Sequence, residues 1–251
     1  MFTHERQQRI VALLADQGRA SVADLATTLA VSDDTIRRDL NTLAALGLLQ
    51  KTHGGALSLD VPNMRRGARA AVLPEVKQAL GRRVAALVTP GQTLMLDAGN
   101  SLLAVAQALP DVPLTVITHS LDIAQLLSER EQVKLILLGG EWDASQRLFR
   151  GATMLAMAQQ YRADLAIMGA CAIHPTLGVT ASDESDGAIK RAFIAGSARS
   201  WLVSDHSKFG EHAPYAVAPL DAFERIFTDR DPQLPLAPNT TLTLLTETTH
   251  G

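Results

Sequence analysis

Two adjacent arginines, Arg37 and Arg38, lie within the segment from Val31 to Leu40 and could both contact a nucleic acid. A guanidinium group can bind guanine through two hydrogen bonds, and it can also neutralise a backbone phosphate. Helical spacing places Ile36 on an inner face and leaves polar residues outside, which is typical of a helix that enters the major groove. The outward candidates are Thr35, Arg37, Arg38 and Asn41, with Ser32 as a cap and further candidate for DNA contact. The sequence leaves open which arginine contacts bases and which contacts phosphate.

A second group of candidates follows three predicted strands in the C-terminal half of the chain. Ligands of open parallel sheets bind beyond the carboxyl ends of strands, and glycines there let the backbone approach an anion. The first loop also offers polar side chains at a predicted helix start, and the last offers a lysine, a point charge suited to phosphate. These candidate anion-binding residues are Asp97, Gly99, Asn100, Ser101, Gly139, Gly140, Asp205, Ser207 and Lys208.

The elements that must position the two arginines are three short helices and a hairpin. Apolar spacing predicts helices over residues 5–17 and 33–45, and a helix between them that begins after Ser21 as its cap. Residues 48–53 and 56–59 predict two strands around Gly54-Gly55, a hairpin signal. This order is typical of a winged helix-turn-helix, which we assign to residues 1–59.

The remainder of the chain alternates strands with helices. Residues 60–73 have the composition of a linker, and residues 74–251 form the predicted second domain. The predicted strands are 93–97, 114–118, 133–138, 164–169, 201–205 and 225–228, and the predicted helices are 74–88, 101–109, 121–128, 152–161 and 186–198. Continuous apolar runs suit strands buried on both faces, so we expect an α/β domain with a mostly parallel sheet. Residues 242–245 also resemble a strand, of unclear role.

Composition and charge restrict the class of protein. The 251 residues are 47% hydrophobic, and no apolar run approaches the ~20 residues that cross a bilayer. Since the start also lacks a signal-peptide pattern, we expect a cytoplasmic protein without membrane contact. The single cysteine, Cys171, excludes an intrachain disulfide; we interpret it as a small buried residue and expect no metal and no cofactor. The net charge of −3 does not exclude DNA binding, because phosphate contacts are local.

Residues 5–57 resemble the DNA-binding domain of the DeoR family of transcriptional repressors. The shared motifs are an Arg-x-x-x-Ile-x-x-Leu-Leu opening at 6–14, a Val-Ser-x-x-Thr-Ile-Arg-Arg-Asp-Leu segment at 31–40 and a His-Gly-Gly-Ala wing at 53–56. The resemblance implies that the outer face of the third helix contacts double-stranded operator DNA, with Lys51 and His53 on the wing. For His53, shaping the glycine turn is an equally weighted alternative.

Residues 75–230 resemble the sensor domain of the same family. The family's Asp-Ser-Gly-Thr-Thr corresponds to 97–101, its Val-Lys-Arg-Ala to 189–192 and its Asp-x-Ser-Lys-Phe to 205–209. That sensor fold is similar to sugar-phosphate isomerases, ribose 5-phosphate isomerase among them, so the implied effector is a phosphorylated sugar or polyol. Asp186 and Lys190 join the ligand-binding candidates by this resemblance. Two segments depart from the family: Asp186-Gly187 replaces Glu-Ala, and Gly169–His174 replaces Gly-Ala-Asp-Gly-Ile-Asp.

The sequence therefore predicts a regulator of sugar or polyol catabolism genes, a repressor that a sugar phosphate releases from DNA. We expect a homo-oligomer, a dimer or tetramer, because repeated half-sites need two recognition helices. One alternative is a sugar-phosphate isomerase with an appended DNA-binding domain. Isomerisation needs a carboxylate to move a proton, and such isomerases carry acids where this chain has Cys171 and His174, so we expect no catalytic residues. The other alternative is a DNA-binding protein that acts without a ligand or as an activator.

Overall fold

The structure is a computed structural model of the whole chain, and it describes residues 2–45, 48–58 and 73–245. The chain divides into two compact units, Met1–Pro74 and Glu75–Gly251, called the N-terminal and C-terminal units below. The predicted linker over residues 60–73 lies outside the described residues, apart from its last residue.

In the described part of the N-terminal unit, three helices surround one apolar core. Its elements are α1 (Thr3–Gln17), β1 (Arg19–Ser21), α2 (Val22–Leu29), α3 (Asp33–Ala45), β2 (Leu49–Thr52) and β3 (Gly55–Ser58). The three helices bury one apolar stripe each, and Ile10, Leu25 and Leu40 are almost inaccessible to solvent. Ser21 caps α2 as predicted, because its hydroxyl accepts a hydrogen bond from the Asp24 amide at 3.0 Å.

The wing is a three-stranded antiparallel sheet in the order β1-β3-β2. The sequence predicted the hairpin of β2 and β3 but not β1, which is only three residues long. Glycine is required at position 55, where β3 pairs with β1, because a Cβ there would lie 2.2 Å from the carbonyl oxygen of Ala20. The second glycine of the wing motif therefore serves close strand packing as well as the turn.

The C-terminal unit is built on a seven-stranded sheet whose strands all run parallel, in the order β15-β14-β12-β9-β4-β5-β6. The strands are β4 (Thr93–Leu96), β5 (Leu114–Thr118), β6 (Val133–Leu137), β9 (Ala163–Met168), β12 (Ser197–Val203), β14 (Arg225–Thr228) and β15 (Thr241–Leu244). The helices are α4 (Pro74–Ala85), α5 (Asn100–Ala108), α6 (Leu121–Leu127), α7 (Ala152–Gln159) and α8 (Glu184–Ala195). The predicted α/β class with a mostly parallel sheet is confirmed.

Helices cover both faces of this sheet, as its continuous apolar strands predicted. On one face α4, α5 and α6 bury Leu80, Val105 and Ile123 against the strands. On the other face α7 and α8 do the same with Met154 and Phe193. Among the described residues, no helix is both long enough and apolar enough to span a membrane.

Two small β-structures were not predicted. β7 (Glu141–Asp143) and β8 (Leu148–Arg150) form a hairpin after β6. β10 (Ala172–His174), β11 (Gly178–Ala181) and β13 (Tyr215–Ala218) form an antiparallel sheet in that order. The strand-like run near the C-terminus is β15, which pairs with β14 as the last strand of the main sheet.

Candidate DNA interface and effector site

The N-terminal end of α3 is fixed by local hydrogen bonds. The Ser32 hydroxyl accepts from the Thr35 amide at 3.3 Å and contacts the Thr35 hydroxyl at 2.9 Å. This is the capping role predicted for Ser32, and it keeps both hydroxyls at the start of the helix. Ile36, Leu40 and Leu43 are buried, so one face of α3 is held against the core.

The opposite face of α3 exposes the predicted DNA-contact residues. Arg37, Arg38 and Asn41 are exposed, while Thr35 is half-buried. Arg38 forms an ion pair with Asp34, one turn earlier, at 2.7 Å between Nη2 and Oδ2. Within the described residues, Arg37 has no ion-pair partner. The two arginines that the sequence could not distinguish therefore differ in their surroundings.

The wing contributes two further candidates. The Lys51 ammonium on β2 donates a hydrogen bond to the Asn41 side-chain oxygen, which links the wing to the outer face of α3. His53 lies exposed in the turn between β2 and β3. The structure thus brings Asn41 and Lys51 together, and their roles in DNA binding stay predictions.

A buried ion pair holds α3 against α1. Arg6 Nε lies 2.5 Å from Asp39 Oδ2, and Gln7 donates to Asp39 Oδ1 at 3.0 Å. The Asp39 side chain is 4% exposed and that of Arg6 is 11% exposed. Asp39, the acid of the Arg-Arg-Asp motif, therefore faces the protein interior and not the solvent. Arg6 and Asp39 were not among the predicted functional residues, although both belong to the motifs shared with the family.

The topology of the main sheet determines where the candidate effector site lies in the C-terminal unit. β4 lies between β5 and β9, and the order of strands reverses at the step from β4 to β9. The helices after neighbouring strands diverge to opposite faces at such a point and leave a crevice at the carboxyl ends of the strands. Asp97 follows β4 and Gly169 follows β9, and the Gly169 amide donates to Asp97 Oδ2 at 3.1 Å.

Three predicted ligand residues meet at this crevice. Lys190 on α8 donates a hydrogen bond to Asp97 Oδ2, and its ammonium lies 3.3 Å from Asp186 Oδ1. Asp97 and Lys190 are buried, whereas Asp186 is half-buried. Two carboxylates thus balance the charge of Lys190, and Asp186 is the most accessible carboxylate of the three-residue cluster.

The charges of this cluster keep each other ionised. Burial on its own would raise the pKa of Asp97, but the charge of Lys190 and the hydrogen bond and charge of His119 hold that pKa well below its usual range. Burial would likewise lower the pKa of Lys190, but Asp186 and Asp97 raise it above its ordinary value. At neutral pH Asp97 is therefore a carboxylate and Lys190 an ammonium.

His119 belongs to the cluster, although sequence analysis missed it. It follows β5 and is completely buried, with Nε2 3.3 Å from Asp97 Oδ1 and Nδ1 2.9 Å from the carbonyl oxygen of Phe149. Both partners only accept, so both contacts are hydrogen bonds when both ring nitrogens carry a hydrogen. The signal was available, because His119 stands after β5 as Asp97 stands after the neighbouring strand β4.

Cys171 lies at the edge of the cluster, with Sγ 3.4 Å from Asp186 Oδ2 and 3.8 Å from the Ser182 hydroxyl. The interpretation of Cys171 as a small buried residue holds only in part, because its side chain is half-buried. Burial and then the charge of Asp186 raise the pKa of this thiol, which therefore stays protonated near neutral pH.

The glycine-containing loops flank this crevice. Gly99 has φ +121° directly before α5, and Asn100 and Ser101 are the first residues of that helix, both half-buried. Gly139 and Gly140 follow β6, two strands away from β4. A Cβ at Gly140 would lie 2.6 Å from the carbonyl oxygen of Arg150, so packing against β8 by itself requires glycine there.

The lysine loop follows β12, two strands from β4 on the other side. The buried Asp205 accepts hydrogen bonds from the amide (3.1 Å) and hydroxyl of Ser207, which closes a turn over residues 206–208. The Lys208 ammonium within it is shielded from solvent. His206 fastens the loop to β14, because its Nδ1 lies 2.6 Å from Asp229 Oδ2. Burial on its own would raise the pKa of Asp229, but the hydrogen bonds from the side chain and amide of His206, together with the charge of His206, lower it.

Two family models match this chain and together span most of it. The DeoR-like helix-turn-helix domain matches residues 6–61, and the DeoR C terminal sensor domain matches residues 73–230. The chain belongs to the DeoR family. It is accordingly a DNA-binding transcriptional regulator, as the motifs at 31–40 and 205–209 predicted.

Curated relatives of this DeoR-family chain match along nearly their whole length. It is 33% identical to the transcriptional repressor GlcR of Bacillus subtilis, over 92% of this chain and 90% of the relative. It is 34% identical to the glycerol-3-phosphate regulon repressor of Escherichia coli, over 91% of each. An L-fucose operon activator of Haemophilus influenzae is 31% identical over 90% of this chain and 91% of the relative. These relatives thus include both repressors and an activator.

Solved structures are similar to this DeoR-family chain only in part. Ribose 5-phosphate isomerase A of Methanocaldococcus jannaschii covers 54% of each chain at 15% identity, with a TM-score of 0.41.

Proposed function

We propose that this regulator is a repressor that binds double-stranded operator DNA through α3 and the wing, and that a phosphorylated sugar or polyol releases it. The observation that carries the proposal is the outer face of α3. There Arg37, Arg38 and Asn41 are exposed on a helix whose other face is held against α1. That arrangement suits a recognition helix in the major groove, with Ser32 and Thr35 at its entering end and Lys51 and His53 on the wing beside it.

The operator is proposed to contain two half-sites. One α3 covers only a few base pairs, and regulators of this kind gain affinity by placing two recognition helices one helical turn apart or more. We therefore propose a homo-oligomer, at least a dimer. Its mass in solution, measured by light scattering, tests this point directly.

The effector is proposed to bind at the carboxyl edge of the main sheet. The start of α5, with Gly99, Asn100 and Ser101, and the loop that carries Ser207 and Lys208 supply donors for a phosphate. The half-buried Asp186 supplies an acceptor for sugar hydroxyls. Lys190 holds the Asp186 carboxylate in place through an ion pair, and Asp97 in turn holds Lys190. Asp205 shapes the lysine loop, and Gly139-Gly140 borders the site at β6.

Release from DNA requires that the effector favour the state that binds DNA poorly. By linkage, operator DNA must then weaken effector binding by the same factor. The proposal is tested with the purified chain and the DNA upstream of its own gene, in a mobility-shift assay at low salt. Retarded DNA that is released by one member of a sugar-phosphate panel supports it. A folded chain that retards no DNA contradicts it.

Replacing Lys208 with alanine is expected to preserve DNA affinity and abolish release by the effector. The change removes a cation from the proposed phosphate site and leaves α3 and the wing untouched. The measurement is the mobility shift with increasing effector. Lys134→Ala, an exposed lysine on β6, is the matched control and should respond like the unaltered chain. Normal release of Lys208→Ala would place the phosphate elsewhere.

Binding without turnover is part of the proposal. Aldose–ketose isomerisation needs a group that takes a proton beside the carbonyl. Cys171 holds its own proton near neutral pH, and His174 accepts from the Thr176 amide at 3.2 Å through Nδ1. The carboxylate of Asp186 is paired with the Lys190 ammonium at 3.3 Å, which weakens it as a base. Incubation of the purified chain with ribose 5-phosphate should produce no ketose. Measurable turnover would favour the isomerase alternative.

A further inference from the structure

The two arginines of α3 occupy different positions around the helix. The buried residues Ile36, Leu40 and Leu43 define the side that faces the core. Arg38 lies close to the opposite direction, whereas Arg37 is turned about 100° away from it, toward one flank. A helix in the major groove directs its outermost residues at the base edges and its flanks at the phosphates beside the groove.

The outermost strip of α3 also contains a partner for Arg38. Asp34 precedes it by four residues, and their side chains pair at 2.7 Å while 69% and 80% exposed, respectively. An exposed pair of this kind contributes little to stability, so stabilising the helix is a minor consequence of it. The pair also has a geometric consequence, because it favours an orientation in which the guanidinium group of Arg38 lies along the outermost strip of α3.

We propose that Arg38 is the residue that recognises guanine, that Asp34 is its positioning residue, and that Arg37 contacts a phosphate. This assignment rests on the proposed DNA binding by α3. A guanidinium presents two parallel donors to the O6 and N7 acceptors of guanine, and a fixed orientation loses less entropy when they bind. Each half-site of the operator should accordingly contain one guanine whose replacement by another base weakens binding only when Arg38 is present.

Charge on the strip supports the same division. Asp34 compensates the charge of Arg38, so Arg38 attracts a backbone phosphate only weakly. Its hydrogen-bond donors are then better suited to the acceptors on a guanine edge than to a phosphate. Arg37 has no such compensation within the described residues, so its charge is available to the backbone. Asp34 thereby reduces attraction to DNA of arbitrary sequence and widens the ratio of specific to non-specific binding.

The experiment compares two charge-preserving variants of the full chain. Wild type, Arg38→Lys and Arg37→Lys are each used to select duplexes from a random-sequence library, and the enriched sequences are compared. Lysine keeps the charge but lacks the two-donor fork. Arg38→Lys should lose the preference for guanine at one position of each half-site, by roughly 5- to 150-fold. Arg37→Lys, the matched control, should select the wild-type sequence.

Salt dependence and a second pair of variants test the other two roles. Arg37→Ala should weaken binding to all sequences alike and reduce the slope of log K against log salt by about 0.9 for each recognition helix. Asp34→Ala should lose the same guanine preference as Arg38→Lys while binding random DNA more tightly. Asp34→Glu keeps a carboxylate four residues before Arg38, so the ion pair can still form and the preference for guanine should be retained.

The outcomes separate this inference from the proposed DNA binding. If wild type enriches no sequence, the proposed DNA binding itself is contradicted, and the inference with it. If wild type enriches a sequence and Arg38→Lys keeps all its base preferences, only the assignment of Arg38 is overturned. Loss of a base preference in Arg37→Lys would reverse the two roles. An unchanged preference in Asp34→Ala would remove Asp34 from the recognition of guanine.

Discussion

Replacing Lys190 with methionine is expected to lower the free energy of unfolding of the C-terminal unit by about 3–5 kcal/mol. Methionine fills similar space but leaves the buried carboxylate of Asp97 without its cation, and Asp186 loses its partner as well. Urea unfolding followed by tryptophan fluorescence measures the loss. Both tryptophans of the chain, Trp142 and Trp201, lie in the C-terminal unit, so the signal reports that unit alone.

Two further variants identify the cause of the loss. Lys134→Met removes an exposed lysine from β6 and should change stability by less than about 0.5 kcal/mol. The double variant Asp97→Asn/Lys190→Met removes both buried charges and should be more stable than Lys190→Met, because the fully buried carboxylate of Asp97 is no longer left without its cation. A single variant within about 1 kcal/mol of wild type would show that the ion pair has little influence on the fold.

The pH dependence of the same variant follows from the pKa shifts. The depressed pKa of Asp97 contributes stability above its unfolded value near 3.9, and this is lost only as the pH falls through the folded value. The raised pKa of Lys190 contributes stability below about 10.4, which is lost only at higher pH. Without Lys190, burial of Asp97 is less opposed and its pKa rises. The deficit of Lys190→Met should therefore shrink as the pH is lowered from about 8 to 5.

The strands of the main sheet could be predicted because strands that are buried on both faces are continuous apolar segments of the sequence. β5 and β14 match the predicted ranges, since each is a short run of apolar and β-branched residues that ends in threonine. The hairpin of β7 and β8 could not be predicted in this way, because its turn contains no Asn-Gly or Gly-Gly signal. The Asp143 carboxylate closes the turn instead by accepting from the Ser145 and Gln146 amides.

The composition of the site was harder to predict than the fold. Asp97 and Lys190 were both candidates, but as separate ligand contacts; nothing local indicates that residues 93 positions apart neutralise each other. His119 could be inferred only by placing β5 beside β4, and Cys171 only by knowing that the loop after β9 lies beside Asp186. Pairing between strands is non-local information, and the periodicity of single elements does not contain it.

Replacing Arg6 with methionine is expected to destabilise the N-terminal unit by about 3 kcal/mol and to weaken DNA binding. Within the described residues, the change leaves the Asp39 carboxylate, 4% exposed, with the side-chain amide of Gln7 as its one remaining side-chain donor, which carries no charge. The cost falls at the lower end for a buried pair, because the Arg6 side chain retains 11% exposure. Thermal unfolding is followed by far-ultraviolet circular dichroism. An early loss of helix without a change in tryptophan fluorescence identifies the N-terminal unit.

The same helix supplies the control. Arg9 pairs with Glu5 at 3.8 Å with both side chains more than half exposed, so Arg9→Met should cost less than about 0.5 kcal/mol. If both variants unfold alike, the Arg6–Asp39 pair does not hold α3 in place. If Arg6→Met alone unfolds early, its DNA affinity should recover at temperatures below that transition. The Arg6–Asp39 pair would then be shown to act through the fold of α3, because neither residue is available to touch the DNA.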